Sequence, residues 1–86
     1  MELTFKELQR DAKAIRASSK FRDAVDSVIW SGYQNACDTY GPRESLSSDK
    51  RAEWDYVALG SVRGILSDSS EIDVKVFNWF VRRITI

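Results

Sequence analysis

The chain has 86 residues, of which 43% are hydrophobic and 30% charged, a balance typical of one small globular domain rather than of a disordered chain. Its 13 basic and 13 acidic side chains cancel, so no overall charge favours nucleic acid, and its single cysteine excludes an internal disulfide. No apolar run approaches the ~20 residues of a bilayer span, and charged residues throughout 1–15 argue against a secretory signal, so we expect a cytoplasmic protein.

The first predicted helix begins at Thr4. Its hydroxyl, followed three residues later by Glu7, matches a capping box that satisfies two backbone amides at a helix start. Apolar residues then recur at helical spacing: Phe5, Leu8, Ala12 and Ile15. Ser18 and Ser19 predict a break, because their side chains compete for backbone hydrogen bonds.

The second predicted helix begins near Ser19 and forms the centre of the core. From residue 21 to residue 40 its apolar residues recur at steps of three and four: Phe21, Val25, Val28, Ile29, Tyr33, Ala36, Cys37 and Tyr40. It ends at Tyr40, since Gly41 can take the left-handed conformation past a helix end and Pro42 cannot continue the helix.

A third helix is predicted over 50–66, after a loop over 42–48. Its cap is one of three neighbouring polar residues, Ser47, Ser48 or Asp49. Gly60 and Gly64 lie four residues apart on this helix, where their missing side chains would let a neighbouring helix or a partner approach closely. The alternative is that they mark a kinked or frayed end.

The last segment, residues 71–86, fits either a helix or a strand. A capping pair of Ser70 and Asp73 and the helical spacing of apolar residues favour a helix. A strand is the alternative, because β-branched residues alternate at the start of the segment: Ile72, Val74 and Val76. The sequence therefore predicts an all-α fold, a small antiparallel bundle of about four helices in a single domain over 1–86, with a β C-terminal segment as the alternative.

The absence of histidine is the most informative chemical fact of the sequence. It removes the commonest general base, the Ser-His and Cys-His nucleophile pairs and most zinc sites. Cys37 lies at the edge of the apolar stripe, and we interpret it as a small core residue. Acidic residues occur in three local pairs, two of them near helix starts, where the helix dipole favours them: Asp23 with Asp26, Asp49 with Glu53, and Glu71 with Asp73. We expect no enzyme activity, catalytic residue, metal site or cofactor.

Two aromatic residues are predicted to lie off the apolar faces of their helices, beside charged residues. Trp30 projects toward Asp23 and Asp26 on the second helix, and Tyr56 projects near Arg63 on the third. Exposed tryptophan and tyrosine anchor many protein interfaces, because they bury a large area at low entropic cost. These five residues form the candidate partner-binding site. An equally weighted alternative is that both rings cover the seam between helices.

A basic stripe follows the first helix beside its apolar face: Lys6, Arg10, Lys13, Arg16 and Lys20. Such a row can follow a phosphate backbone or meet an acidic protein surface. It has no interleaved aromatic residue for base stacking, and Glu7 and Asp11 lie beside it. A solvated helix face is the plain alternative, and a protein partner is favoured over nucleic acid.

The favoured function is a non-enzymatic protein-binding module, a small stoichiometric inhibitor of a larger protein or ribonucleoprotein complex. In size and composition the chain resembles phage-encoded inhibitors of host defence, such as anti-CRISPR proteins, and toxin-neutralising immunity proteins. A nucleic-acid-binding accessory protein that uses the basic stripe is the alternative. A homodimer closed by the Gly60 and Gly64 face or by the aromatic flank is a third hypothesis, and no membrane partner is expected because the apolar stripe is narrow.

Overall fold

A computed structural model describes residues 4–68 and 72–84, and all regular structure in these two ranges is helical. Four α-helices follow one another, with a short 3₁₀ turn between the second and third: α1 (Phe5–Lys13), α2 (Ser19–Tyr40), the turn (Arg43–Ser45), α3 (Ser48–Asp68) and α4 (Val74–Val81). The predicted all-α class is confirmed. The strand alternative for the last segment is wrong where that segment is described, because its core is the helix α4.

Polar side chains begin the first two helices as predicted. Thr4 Oγ1 accepts a hydrogen bond from the amide of Glu7 at 3.2 Å, and Ser18 Oγ accepts one from the amide of Phe21 at 3.3 Å. Both bonds satisfy amides that have no partner within the helix. Helix α1 ends at Lys13, before the break predicted at Ser18 and Ser19, and Ile15 packs against the core from outside the helix.

The last two helices begin at different residues from those predicted. Helix α3 starts at Ser48, where Ser47 Oγ accepts from the amide of Lys50 at 3.4 Å. Helix α4 starts after Asp73, whose carboxylate accepts from the amide of Lys75 at 2.7 Å. Asp73 is therefore the cap itself rather than the third residue of a capping box, and Ser70 lies outside the described residues.

Gly41 ends α2 as the sequence predicts. Its φ of 84° is a conformation that glycine takes without steric cost, and its amide donates to the carbonyl of Cys37 at 2.7 Å. Its own carbonyl accepts from the indole Nε1 of Trp54 at 3.1 Å. The end of α2 is thus tied to the first half of α3.

The most extensive packing is between α2 and α3, which pair in opposite chain directions. Gly41 meets Trp54, and Asn35, further back on α2, donates a hydrogen bond to Ser61, further along α3. An antiparallel arrangement of all four helices stays a prediction. The close approach expected at Gly60 and Gly64 is wrong for a neighbouring helix of the described chain, because a Cβ at either would meet nothing within 4 Å.

Trp54 lies at the centre of the core. Its ring makes edge-on contacts with the rings of Phe5 and Tyr33, with ring centroids 5.4 Å and 5.6 Å apart. Trp54 therefore joins α1, α2 and α3. The other fully buried large side chains are Leu8, Val25, Val62 and Phe80. Phe77 and Trp79 are half-buried and pack against this core.

Charged contacts join α1 to the residues after α4 and stabilise the connection between α2 and α3. Arg83 lies 3.5 Å from Asp11 of α1, and its guanidinium stacks 3.9 Å above the ring of Trp79. In the connection, Arg43 donates two hydrogen bonds of 3.0 Å to the carboxylate of Asp55, a half-buried pair that raises the pKa of Arg43. Among the described residues, no helix is both long and apolar enough to cross a membrane.

Candidate functional site

Trp30 is the most unusual surface residue of the molecule. It lies in the middle of α2 with 59% of its surface exposed. Its ring stacks on that of Tyr33 one turn later, with centroids 5.6 Å apart and planes 16° from parallel. Tyr33 in turn contacts buried Trp54 edge-on. The exposed indole is therefore held in one orientation by a chain of rings that reaches the core, and little entropy remains to be lost when a partner covers it.

Cys37 lies one turn after Tyr33 on α2 and affects its ionisation. Hydrogen bonding with the Cys37 side chain raises the pKa of the Tyr33 phenol above its usual 10.0. The phenol is therefore neutral at physiological pH. Cys37, interpreted from the sequence as a small core residue, is half-buried and packs against the core from its edge.

An acidic groove runs between α2 and α3, and Trp30 lines it. The other lining residues are mostly small or polar: Ser31, Gln34, Asn35, Asp38, Ser61, Gly64, Ile65 and Asp68. Among the described residues that line the groove, the two aspartates are the only charged ones. The hydrogen bond from Asn35 to Ser61 crosses between the two helices.

A second groove lies on the other side of Trp30, between α1 and α2. Its lining mixes apolar, amide and charged side chains: Gln9, Ala12, Lys13, Asp26, Ile29, Trp30 and Tyr33. Lys13 of the basic stripe therefore shares a groove with the stacked aromatic pair. From the sequence alone, no aromatic residue lies beside this stripe, because Lys13 and the two rings belong to different helices.

The structure divides the five predicted partner-binding residues into two sets. Trp30 and Asp26 line the groove between α1 and α2, and exposed Asp23 lies one turn before Asp26 on the same helix. Tyr56 is exposed over 76% of its surface and Arg63 is half-buried, but neither lines a groove beside Trp30. Since α3 turns about 100° per residue, Tyr56 points well away from the face that carries Ser61 and the rest of the acidic groove. The exposure of both rings is thus observed, and their role in binding stays a prediction.

The basic stripe is shorter than predicted. Lys6, Arg10 and Lys13 are exposed at spacings of four and three on α1, so they share one face. Arg16 and Lys20 do not extend that face, because α1 ends at Lys13: Arg16 lies in the connection to α2, and Lys20 lies in the first turn of α2.

A basic groove that sequence reasoning missed lies between the start of α2 and α4. Its charged residues are Lys75 and Arg82, with Phe21 and Trp79 as its aromatic rings, and no described residue of its lining is acidic. The remaining lining residues are Ala17, Ser18 and Asn78. Residues 75, 78, 79 and 82 have the spacing of one helix face. If the last segment is taken as a helix, the sequence alone therefore predicts that these four residues lie together.

No family model matches the sequence, and no curated protein or solved structure shows significant similarity to it. Within residues 4–68 and 72–84, no three or more histidine, cysteine or acidic side chains group closely enough to hold a metal ion. The candidate binding surfaces are therefore the two grooves beside Trp30 and the basic groove at α4.

Proposed function

We propose that the chain is a non-enzymatic protein-binding module that uses Trp30 as its anchor. The observation that carries the proposal is a tryptophan exposed over 59% of its surface and held by stacking on Tyr33. Water-exposed indole is unfavourable, and covering a rigid, exposed ring is among the largest single gains available at a protein interface. The grooves on both sides of Trp30 provide concave surfaces into which side chains of the partner can pack.

Within this function, we favour a stoichiometric inhibitor of a larger protein or ribonucleoprotein complex, acting in the cytoplasm of the source cell or of an infected host. The absence of histidine and the small size support a role in binding rather than catalysis. Inhibitors of phage origin, such as anti-CRISPR proteins, are the specific form of this proposal, supported by size and composition alone.

The first test is the substitution Trp30→Ala. It should weaken partner binding at least tenfold, in line with the loss of an interface anchor, while the free energy of unfolding falls by only about 0.5–1.5 kcal/mol from the lost ring stacking. The matched control is Trp54→Ala, in which the buried ring is lost and unfolding should become easier by about 3–5 kcal/mol. Urea unfolding followed by circular dichroism measures both.

The partner is found by affinity capture from a lysate of the source cell or its host, with wild-type and Trp30→Ala chains as baits and with or without nuclease. The proposal expects a discrete set of proteins that survives nuclease and is lost from the Trp30→Ala bait. Identical capture by both baits would contradict it. An inhibitor should then block the captured complex with an end point of one chain per complex, and Tyr56→Ala tests whether the partner also covers that side of α3.

Nucleic-acid binding is the second candidate, favoured by the basic groove with Lys75 and Arg82 beside two aromatic rings. The exposed face of Lys6, Arg10 and Lys13 adds to it. This function expects an affinity for single-stranded nucleic acid that falls steeply with salt and with Lys75→Glu or Lys6→Glu. Capture that disappears on nuclease treatment would favour it over the protein-binding function.

A further inference from the structure

The acidic groove has a carboxylate at each end. Asp38 lies in the last turn of α2, and Asp68 is the last residue of α3. Neither helix has a basic residue in its last turn, and neither carboxylate forms an ion pair within the described part of the chain. Carboxylates at helix C-termini are repelled by the carbonyl groups that end the helix. A cation bound at either end would offset this repulsion.

Trp30 lies toward the Asp68 end of the groove. Because α2 and α3 pair in opposite directions through Asn35 and Ser61, Trp30 is level with the last part of α3. Tyr33 covers one face of the indole, and the exposure of 59% leaves the opposite face open. A guanidinium over an open indole face is attracted by the ring electrons.

The distance between the ends of the groove sets the spacing of the ligand. Trp30 and Asp38 are eight residues apart on one helix, which places them about 12 Å apart along its axis. Asp68 lies at the Trp30 end of the groove, so the two carboxylates are too far apart for one metal ion to bind both. Phosphates are disfavoured as well, because both charged residues in the described lining of the groove are negative.

We propose that the acidic groove docks a basic helix of the partner protein, with an arginine over the open face of Trp30 beside Asp68 and a second cation against Asp38. This inference rests on the proposed protein-binding function. Cations seven residues apart on a helix lie about 10 Å apart along its axis, close to the span of the groove. Between its ends the groove has small side chains over which a helix backbone can pass: Ser31, Ser61 and Gly64.

The test uses an alanine-based helical peptide with two arginines seven residues apart, titrated into the ¹⁵N-labelled full chain. The inference expects shifts of the Trp30 indole, the Asn35 side-chain amide and the Gly64 amide, with no shift of the Trp54 indole. A matched peptide with glutamates in place of both arginines should cause none of these shifts. Higher salt should weaken the arginine peptide's affinity, because the contacts are between charges near the surface.

Variants of the chain separate the groove from the rest of the surface. The double substitution Asp38→Asn and Asp68→Asn should weaken the arginine peptide about fivefold or more, whereas Asp49→Asn, in the first turn of α3 and outside the groove, should leave its affinity unchanged. Equal shifts with arginine and glutamate peptides, or an unchanged affinity in the double variant, would overturn the inference. Partner capture retained by the double variant but lost with Trp30→Ala would overturn the basic helix and leave the protein-binding function standing.

Discussion

Gly32 is the residue at which α2 and α3 come closest. A Cβ built there would lie 2.8 Å from the carbonyl oxygen of Ala58 and 2.8 Å from Cγ2 of Val62. A carbonyl in the middle of a helix cannot move aside without displacing the helix. The substitution Gly32→Ala should therefore destabilise the fold by about 1–3 kcal/mol, in spite of alanine's better helix propensity.

The matched control for Gly32 is Gly60→Ala on α3. A Cβ at Gly60 meets nothing within 4 Å, so only helix propensity changes, and the free energy of unfolding should rise by up to ~1 kcal/mol. Urea unfolding of the two variants side by side gives both numbers. A Gly32→Ala chain as stable as the wild type would show that the two helices can separate slightly at no cost.

Helical projection also has a limit at the level of single side chains. It predicts that Trp30 and Tyr56 leave the apolar faces of their helices, and both are exposed. It cannot predict that Tyr33 supports Trp30 from below while touching Trp54, because that contact depends on how α2 packs against α3. The two grooves beside Trp30 escape sequence reasoning for the same reason.

Among the elements, α4 depends most on a single side chain. It has only eight residues, and the carboxylate of Asp73 holds the amide of Lys75 at its start. We expect Asp73→Ala to cost about 0.5–2 kcal/mol and to speed amide hydrogen exchange within α4 more than within α2 or α3. Asp73→Asn keeps an acceptor oxygen and should retain most of the stability. Equal exchange in the alanine and wild-type chains would show that the buried side chains of α4, and not the cap, hold it in place.

The helix boundaries show which signals in a sequence are local. Thr4, Ser18 and Gly41 lie at helix ends in the structure, as the sequence predicts. Such ends are predictable because a cap is a contact between residues at most four apart in sequence. The pairing of α2 with α3 cannot be predicted from such local contacts, because it joins residues far apart in the sequence. Its marker is Gly32, which looks like any other glycine until Ala58 and Val62 are placed against it.

At the scale of the whole molecule, Tyr33 governs part of the response to alkaline pH. Its pKa is raised in the folded chain by the hydrogen bond with Cys37, so the folded state holds this proton more tightly than the unfolded state. The resulting stability is complete below pH 10.0 and is lost as the pH rises through the raised value. The free energy of unfolding should therefore fall above pH 10.0, and less steeply in Tyr33→Phe, when urea unfolding is measured on both sides of that pH. Equal slopes would contradict this.

The charges of the whole chain cancel in number but not in position. In the part of the chain that the structure describes, the charged residues lining the groove between α2 and α3 are acids, and those lining the groove between the start of α2 and α4 are bases. Phe21 and Asp38, which mark the two grooves on α2, are separated by about 25 Å along the helix. Local potential, rather than net charge, therefore decides which partner each groove attracts.

The three tryptophans lie in three different environments, and each can serve as an optical reporter. Trp30 is exposed and should emit at long wavelength and be quenched by acrylamide until a partner covers it. Trp54 is buried and its indole N–H donates a hydrogen bond to the carbonyl of Gly41, so its emission should report global unfolding. Trp79 lies beneath the guanidinium of Arg83 and should respond when the C-terminal turn detaches from α1. Single-tryptophan chains would thus follow binding, unfolding and fraying separately, without any added dye.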